Sequence, residues 1–424
     1  MVSIAAVTAD WVLDSRATPT VEARVTLSDG TIASGQAPSG ASTGRHESVE
    51  RRDGDPSRFG GKGVEAAVRA VRARIEPALT GLDVRDQLAV DEALIELDGT
   101  SDRSELGANA MLAVSVACAR AGAKAEGTPL WRHLAGTRRA TLPLPMVNLF
   151  SGGAHARGGM GIQDVLVTPF GAPNEATAIE WVRDIYVAAA EILVAREAST
   201  LVGDEGGFGA PSASSEDAIA VAVEAIVRAG RIPGKEVSLT IDVAATQLLQ
   251  EDGTYRLDGE HYDTDAFIAL IVGWTARYPI VSVEDPLAED DWDGWVRLAA
   301  QLDLRVQLVG DDLLCTHRER LDRSAELGCA NAVLVKANQI GTLSEALSVV
   351  DRAAELHFRA VVSARSGETE DDWLADLAVA SGAGQIKVGS VVRSERLAKY
   401  NRLLRISRSP DSPPWAGSNG FDLV

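Results

Sequence analysis

Lys336 follows a short apolar run, Ala332-Val333-Leu334-Val335, and precedes polar Asn338 and Gln339. Such a run, without alternation, has the pattern of a strand buried on both faces, as in a parallel sheet. A lysine beside that strand is costly unless something pairs or uses it. Lysine is also scarce: only Lys62, Lys124, Lys235, Lys336, Lys387 and Lys399 occur, and arginine fills nearly all other cationic positions. Arginine stays charged, whereas a buried lysine shifts its pKa readily. The choice of lysine at a strand end therefore suggests a proton carrier. Taken alone, the run fits a lysine that snorkels to the surface equally well.

Other apolar runs end in the same way. SLTID ends at Asp242, IVSVED at Glu284 and Asp285, and VQLVGDD at Asp311 and Asp312. AVVSARSGE ends at Arg365 and Ser366, and GQIKVGS carries Lys387. In a barrel the strand C-termini open onto one mouth, so these side chains converge. Asp242, Glu284 and Asp311 would form a hard, oxygen-only site suited to Mg²⁺. Two lysines and an arginine on the next strands would make the mouth anionic on one side and cationic on the other. That layout suits removal of a proton α to a carboxylate: a divalent cation stabilises the charge that develops, and a neutral lysine takes the proton. Lys387 and the metal would keep Lys336 partly neutral.

The elements that must position these groups can be read from spacing. Residues 1 to about 60 read as strands and turns, with Val21–Leu27 alternating and Ser28-Asp29-Gly30 turning the chain back. The small, polar loop 38–44 follows, expected to be mobile. Residues 62–82, 86–97 and 107–126 read as helices, the last rich in small residues and expected to be tightly buried. Strand-like 142–148 then precedes candidate strands at 163–168, 237–242, 279–284, 305–310, 332–336, 359–363 and 385–388, with helical patterns between the later ones. Repeated strand–helix units in this number favour a closed parallel α/β barrel over an open sheet. The expected division is an α+β N-terminal domain over 1–136 and a barrel domain over 137–424.

Composition narrows the partners. The 424 residues favour two domains, and the net charge of −20 argues against nucleic-acid and anionic-membrane surfaces. It permits an anionic small molecule, because local cations or a metal override the global sign. Cys118, Cys315 and Cys329 lie far apart in no metal-like spacing, as expected of reduced thiols in a cytoplasmic protein. The N-terminus lacks a basic segment followed by an apolar one, so no signal peptide is expected, and no apolar run reaches membrane-spanning length.

From about residue 10 to 406 the chain resembles the enolase family. The matching words include DSRxxPTVE (14–22), PSGASTG (38–44), LGANA (106–110), VGDEGGF (202–208), VEDP (283–286), KANQIGTLSE (336–345) and RSERLAKYN (393–401). The resemblance implies a small α+β N-terminal domain followed by an irregular (β/α)8 TIM-like barrel, a homodimer or higher homo-oligomer, and Mg²⁺-dependent reversible dehydration of 2-phosphoglycerate to phosphoenolpyruvate. It implies two Mg²⁺ ions, the first on Asp242, Glu284 and Asp311 and the second closed over by Ser42. It implies Lys336 as the base and Glu205 as the acid that helps the 3-hydroxyl leave. Lys387 should meet the substrate carboxylate, Arg365 and Ser366 the phosphate, and His155 and Gln163 the substrate's surroundings. A non-catalytic scaffold is disfavoured, since it could lose Lys336, Glu205 or any of the carboxylates freely.

The departures from the family pattern fall near the substrate. The usual QE pair is Gln163-Asp164, and the shorter Asp164 carboxylate sits roughly 1.5 Å back. That distance would cost a catalytic Asp164 its direct hydrogen bond to the substrate hydroxyl. The usual SHRSGET has Ala364 in place of the imidazole, which removes a donor and opens space beside the phosphate clamp. The usual RGNPT is Arg16-Ala17-Thr18-Pro19-Thr20, and the loop 155–161 carries an extra cation at Arg157. Retained chemistry with an altered pocket suggests a P-substituted analogue, as in the enolase relative of phosphonate antibiotic biosynthesis that makes carboxyphosphonoenolpyruvate. The alternative is the ordinary glycolytic substrate.

Overall fold

The computed structural model describes residues 2–40, 44–209, 214–302 and 306–421. Three antiparallel strands, β1 (Ile4–Leu13), β2 (Pro19–Leu27) and β3 (Ile32–Gln36), form the first sheet. Asp14 makes the first turn, its Oδ1 accepting the backbone N–H of Arg16 at 2.9 Å and of Thr18 at 2.8 Å. The helix Ala108–Glu126 packs on β2 and β3. Its alanines permit a close approach, and Gly35 completes it: a Cβ there would lie 2.7 Å from the Ala113 carbonyl oxygen. The predicted tight burial of this segment holds, with Ala110, Ala113 and Ala117 inaccessible to solvent.

The rest of the chain forms a closed eight-stranded barrel. Its members in chain order are β4 (Leu144–Ser151), β5 (Asp164–Thr168) and β6 (Ser238–Asp242), then, after a small hairpin of β7 (Tyr255–Leu257) and β8 (Glu260–Tyr262), β9 (Ile280–Glu284), β10 (Gln307–Gly310), β11 (Ala332–Val335), β12 (Arg359–Ser363) and β13 (Gln385–Gly389). The barrel closes through the parallel pairing of β13 with β4. The fold is thus an irregular α/β barrel preceded by a smaller α+β unit.

One expectation fails. The barrel is not wholly parallel, because β5 runs antiparallel to both β4 and β6. Only the loop 152–163, which forms no helix, separates β4 from β5, whereas a parallel pair is usually joined by a helical crossover. The consequence is functional. A reversed strand presents its first residues at the mouth, so Gln163 and Asp164 arrive beside Asp242, which pairs with Asp164 in register. Below the mouth, Met146, Leu166, Val309, Ala332, Leu334 and Val361 plug the barrel interior. No helix among the described residues is long and apolar enough to cross a membrane.

Candidate active site

Register places the three carboxylates together. Asp242 ends β6 opposite Glu284 at the end of β9, Glu284 lies beside Val309 of β10, and Asp311 follows that strand. All three are buried. Asp285, held with φ of 40° just after Glu284, accepts the backbone N–H of Asp311 at 3.0 Å and of Asp312 at 2.8 Å. This left-handed turn is unfavourable for a non-glycine residue, and here it aims a carboxylate that pins the neighbouring strand end.

The expected split into an anionic and a cationic side is not what forms. Charges interleave instead: Lys387 Nζ lies 2.7 Å from both Asp242 Oδ2 and Glu284 Oε2, and Lys336 Nζ pairs with Asp311. Gln163 Nε2 donates to Asp242 and Gln339 Nε2 to Asp311, each at 3.0 Å. Lys336 is therefore not kept neutral by its neighbours. Burial opposes its charge, but Asp311, with Glu284 behind it, outweighs burial, Arg365 and Lys387 and holds the ammonium pKa above its ordinary value. Glu284 is pushed well up by burial and by Asp242 beside it, and Asp285 by burial and Asp312. Carboxylates so crowded need more positive charge than the chain supplies. A donor set of this kind fits a small, hard dication, with the two ammonium groups lying where such an ion would draw on the same oxygens.

The opposite wall comes from two interlocked loops. His155 lies between β4 and β5, and Glu205 lies in the loop 201–209, whose Asp204 N–H donates to the His155 carbonyl at 3.0 Å. Gly203 and Gly207 allow this approach, since a Cβ on either would lie within 2.8 Å of the His155 loop or Ser151. His155 Nδ1 is 2.9 Å from Asp164 Oδ2, and Nε2 is 3.7 Å from Glu205 Oε1. Burial disfavours the charged imidazole, yet Asp164 and Glu205 hold its pKa up at about 9. Glu205 is conversely held below its ordinary value: burial opposes ionisation, but His155 and Arg396 prevail.

The third wall follows β12. Arg365 is buried, and Glu47 engages it from the N-terminal unit, Nη1 to Oε2 at 2.8 Å and Nη2 to Oε1 at 3.2 Å. This fork is how a guanidinium holds any planar pair of anionic oxygens. The helix Ser394–Ser407 stiffens the segment from behind. Its Arg396 donates to the carbonyls of Arg365 and Ser366, both at 2.6 Å, and its Lys399 pairs with Glu368 at 2.6 Å. Ala364 and Ser366 line the cavity beside Arg365.

One cavity, with an empty volume of about 480 Å³, thus brings together His155, Gln163, Glu205, Asp242, Asp311, Lys336, Ala364, Arg365, Ser366 and Lys387. Glu284 stands just behind its wall, reaching it through Lys387. Asp164 is fully buried and does not line it. Arg157 is exposed and does not line it. Ser42 lies outside the described residues. Sequence reasoning missed Glu47, Asn338 and Gln247. Asn338 accepts from Arg365 Nη1 at 2.9 Å, and Gln247 donates to Gln163 at 3.1 Å. A charged residue three positions after the small-residue loop was a signal for Glu47, but its partner lies 318 residues away.

Comparison with known proteins agrees with this geometry. The family model "Enolase, N-terminal domain" matches residues 4–134, and "Enolase, C-terminal TIM barrel domain" matches 139–421. The enolase of Kineococcus radiotolerans is 48% identical over 422 residues, covering 99% of this chain and 98% of that protein. With both halves matched and the strand-end groups assembled in one cavity, the chain belongs to the enolase family, and it is a hydro-lyase of that family.

Proposed function

We propose that the chain catalyses the reversible dehydration of 2-phosphoglycerate to phosphoenolpyruvate. The observation that carries this reading is Lys336 beside three buried carboxylates, facing His155 and Glu205 across one cavity. The near full-length similarity to a protein named enolase favours the unmodified substrate. Family members use Mg²⁺; Asp242, Glu284 and Asp311 would hold it, and when bound it supplies positive charge for the oxygens of the deprotonated carboxylate. Lys336 takes the α-proton once Asp311 is drawn from it. Lys387 faces the substrate carboxylate. Arg365 exchanges Glu47 for the phosphoryl oxygens, with Ser366 beside it. Gln163 orients Asp242, and Glu205 lies where the 3-hydroxyl departs. The same reading divides the chain at 136/137, with the N-terminal domain contributing Glu47 to the barrel mouth.

Turnover with Mg²⁺ of 2-phosphoglycerate against its P-carboxy analogue tests this. Efficient conversion of the plain substrate, without gain on the analogue, is expected. A strong preference for the analogue overturns it and restores the phosphonate reading, which rests on Asp164 and Ala364 and finds no support in the comparisons.

A further inference from the structure

Asp164 occupies the position at which the family resemblance calls for a substrate-facing carboxylate, yet it has no path to the cavity. It is inaccessible to solvent, and both its oxygens are engaged. Oδ1 accepts from Ser151 Oγ at 2.8 Å, and Oδ2 lies 2.9 Å from His155 Nδ1. The antiparallel pairing of β4 and β5 sets Ser151 directly opposite Asp164, so this arrangement is built into the sheet.

His155 is what reaches the cavity. With Nδ1 donating to Asp164, the ring presents Nε2 towards Glu205 Oε1 at 3.7 Å. Asn148 Nδ2, from the same strand as Ser151, holds the other Glu205 oxygen at 3.1 Å. The group is thus ordered as Ser151, Asp164, His155, Glu205 and Asn148, with one imidazole between two carboxylates. A carboxylate behind a histidine fixes its orientation and favours the doubly protonated ring.

We propose that Asp164 is a positioning residue, which fixes His155 so that Nε2 and Glu205 together hold the proton given to the departing hydroxyl. The inference rests on the dehydration proposed above. The chemistry balances. Lys336 takes the α-proton, and the electron pair of that C–H bond becomes the new C=C bond. The bond from C3 to its hydroxyl breaks with its electron pair on oxygen. That oxygen accepts the proton from His155 Nε2, directly or through Glu205, and leaves as water. His155 regains a proton from solvent, and Lys336 releases one.

The test separates the two half-steps in one sample. Exchange of the α-hydrogen of 2-phosphoglycerate with deuterated solvent reads the Lys336 step, whereas phosphoenolpyruvate formation also needs the acid. Asp164→Asn should retain exchange within about threefold of wild type while elimination falls by about 10²-fold, the usual contribution of a placed acid. Ser151→Ala, which frees only one Asp164 oxygen, should show the same split at roughly tenfold. It decides the matter if Asp164→Asn does not fold. Equal loss of both rates, or loss of neither, overturns the inference. A wild-type protein inert towards 2-phosphoglycerate overturns the substrate reading and this inference with it, whereas an active wild type with unsplit variants overturns this inference alone.

Discussion

At the residue scale the site is a set of ammonium–carboxylate pairs waiting to be rearranged. In the role proposed for it, Lys336 accepts a proton only after Asp311 leaves it, because the pair holds the ammonium charged. Its role is separable from binding. Lys336→Ala should abolish exchange of the α-hydrogen with solvent, a loss of about 10²- to 10⁴-fold. Exchange near the wild-type rate would mean that another group is the base. Ala364 is the second residue-scale question. It lines the cavity beside Arg365 and Ser366, so Ala364→His fills space and adds a donor there. That variant should favour 2-phosphoglycerate over its P-carboxy analogue by roughly tenfold in the ratio of kcat/KM. An unchanged ratio would show that position 364 does not read the phosphorus end.

At the element scale the reversed β5 matters most, since it brings Gln163 and Asp164 to the mouth by their N-terminal ends. The helix Glu175–Ala195 that follows β5 carries a different kind of group. Glu175 is buried, neither of its carboxyl oxygens has a hydrogen-bond partner, and burial pushes its pKa from 4.5 up to about 8. Its folded-state pKa is raised, so between about pH 4.5 and about 8 the unfolded chain has lost this proton and the folded chain has kept it. Stability from this group is therefore full below that window and falls as pH rises through it, by about 1.4 kcal/mol per pH unit. Glu175→Gln should abolish that slope in the variant, so that the stability difference between variant and wild type in urea denaturation changes with pH across the window. Parallel curves across the window would mean that Glu175 does not titrate there.

At the scale of the whole molecule, the N-terminal unit is part of the site, not an appendage to it. Arg120, on its long helix, donates to Asp371 and Asp372 just after the Arg365 segment, and Trp373 Nε1 donates to the Gln36 carbonyl at 3.1 Å. These contacts fix the approach of Glu47 to Arg365. The crowding of Glu284 and Asp285 is the other molecular property, because it costs the folded state and would be relieved by a bound cation. Mg²⁺ should raise the melting temperature, by an amount equivalent to about 2.7 kcal/mol when free Mg²⁺ is a hundredfold above its Kd. Chelation should reverse the gain, and Asp242→Asn should diminish it. A melting temperature indifferent to Mg²⁺ would remove these carboxylates from metal binding.

Local pattern carried a large part of this in advance. Apolar β-branched runs ending on Asp242, Glu284, Asp311, Lys336 and Arg365 read as barrel strands with chemistry at one mouth, because strand length, burial and the residue after the strand are properties of a few neighbouring positions. The same neighbourhood gave away the small-residue helix 108–126. Only the tertiary structure decided the direction of β5, the seating of Lys387 between Asp242 and Glu284, the fork of Glu47 on Arg365, and the retreat of Asp164 behind His155. Each of these joins residues distant in the chain, and which charges meet depends on register and loop packing that no local window contains.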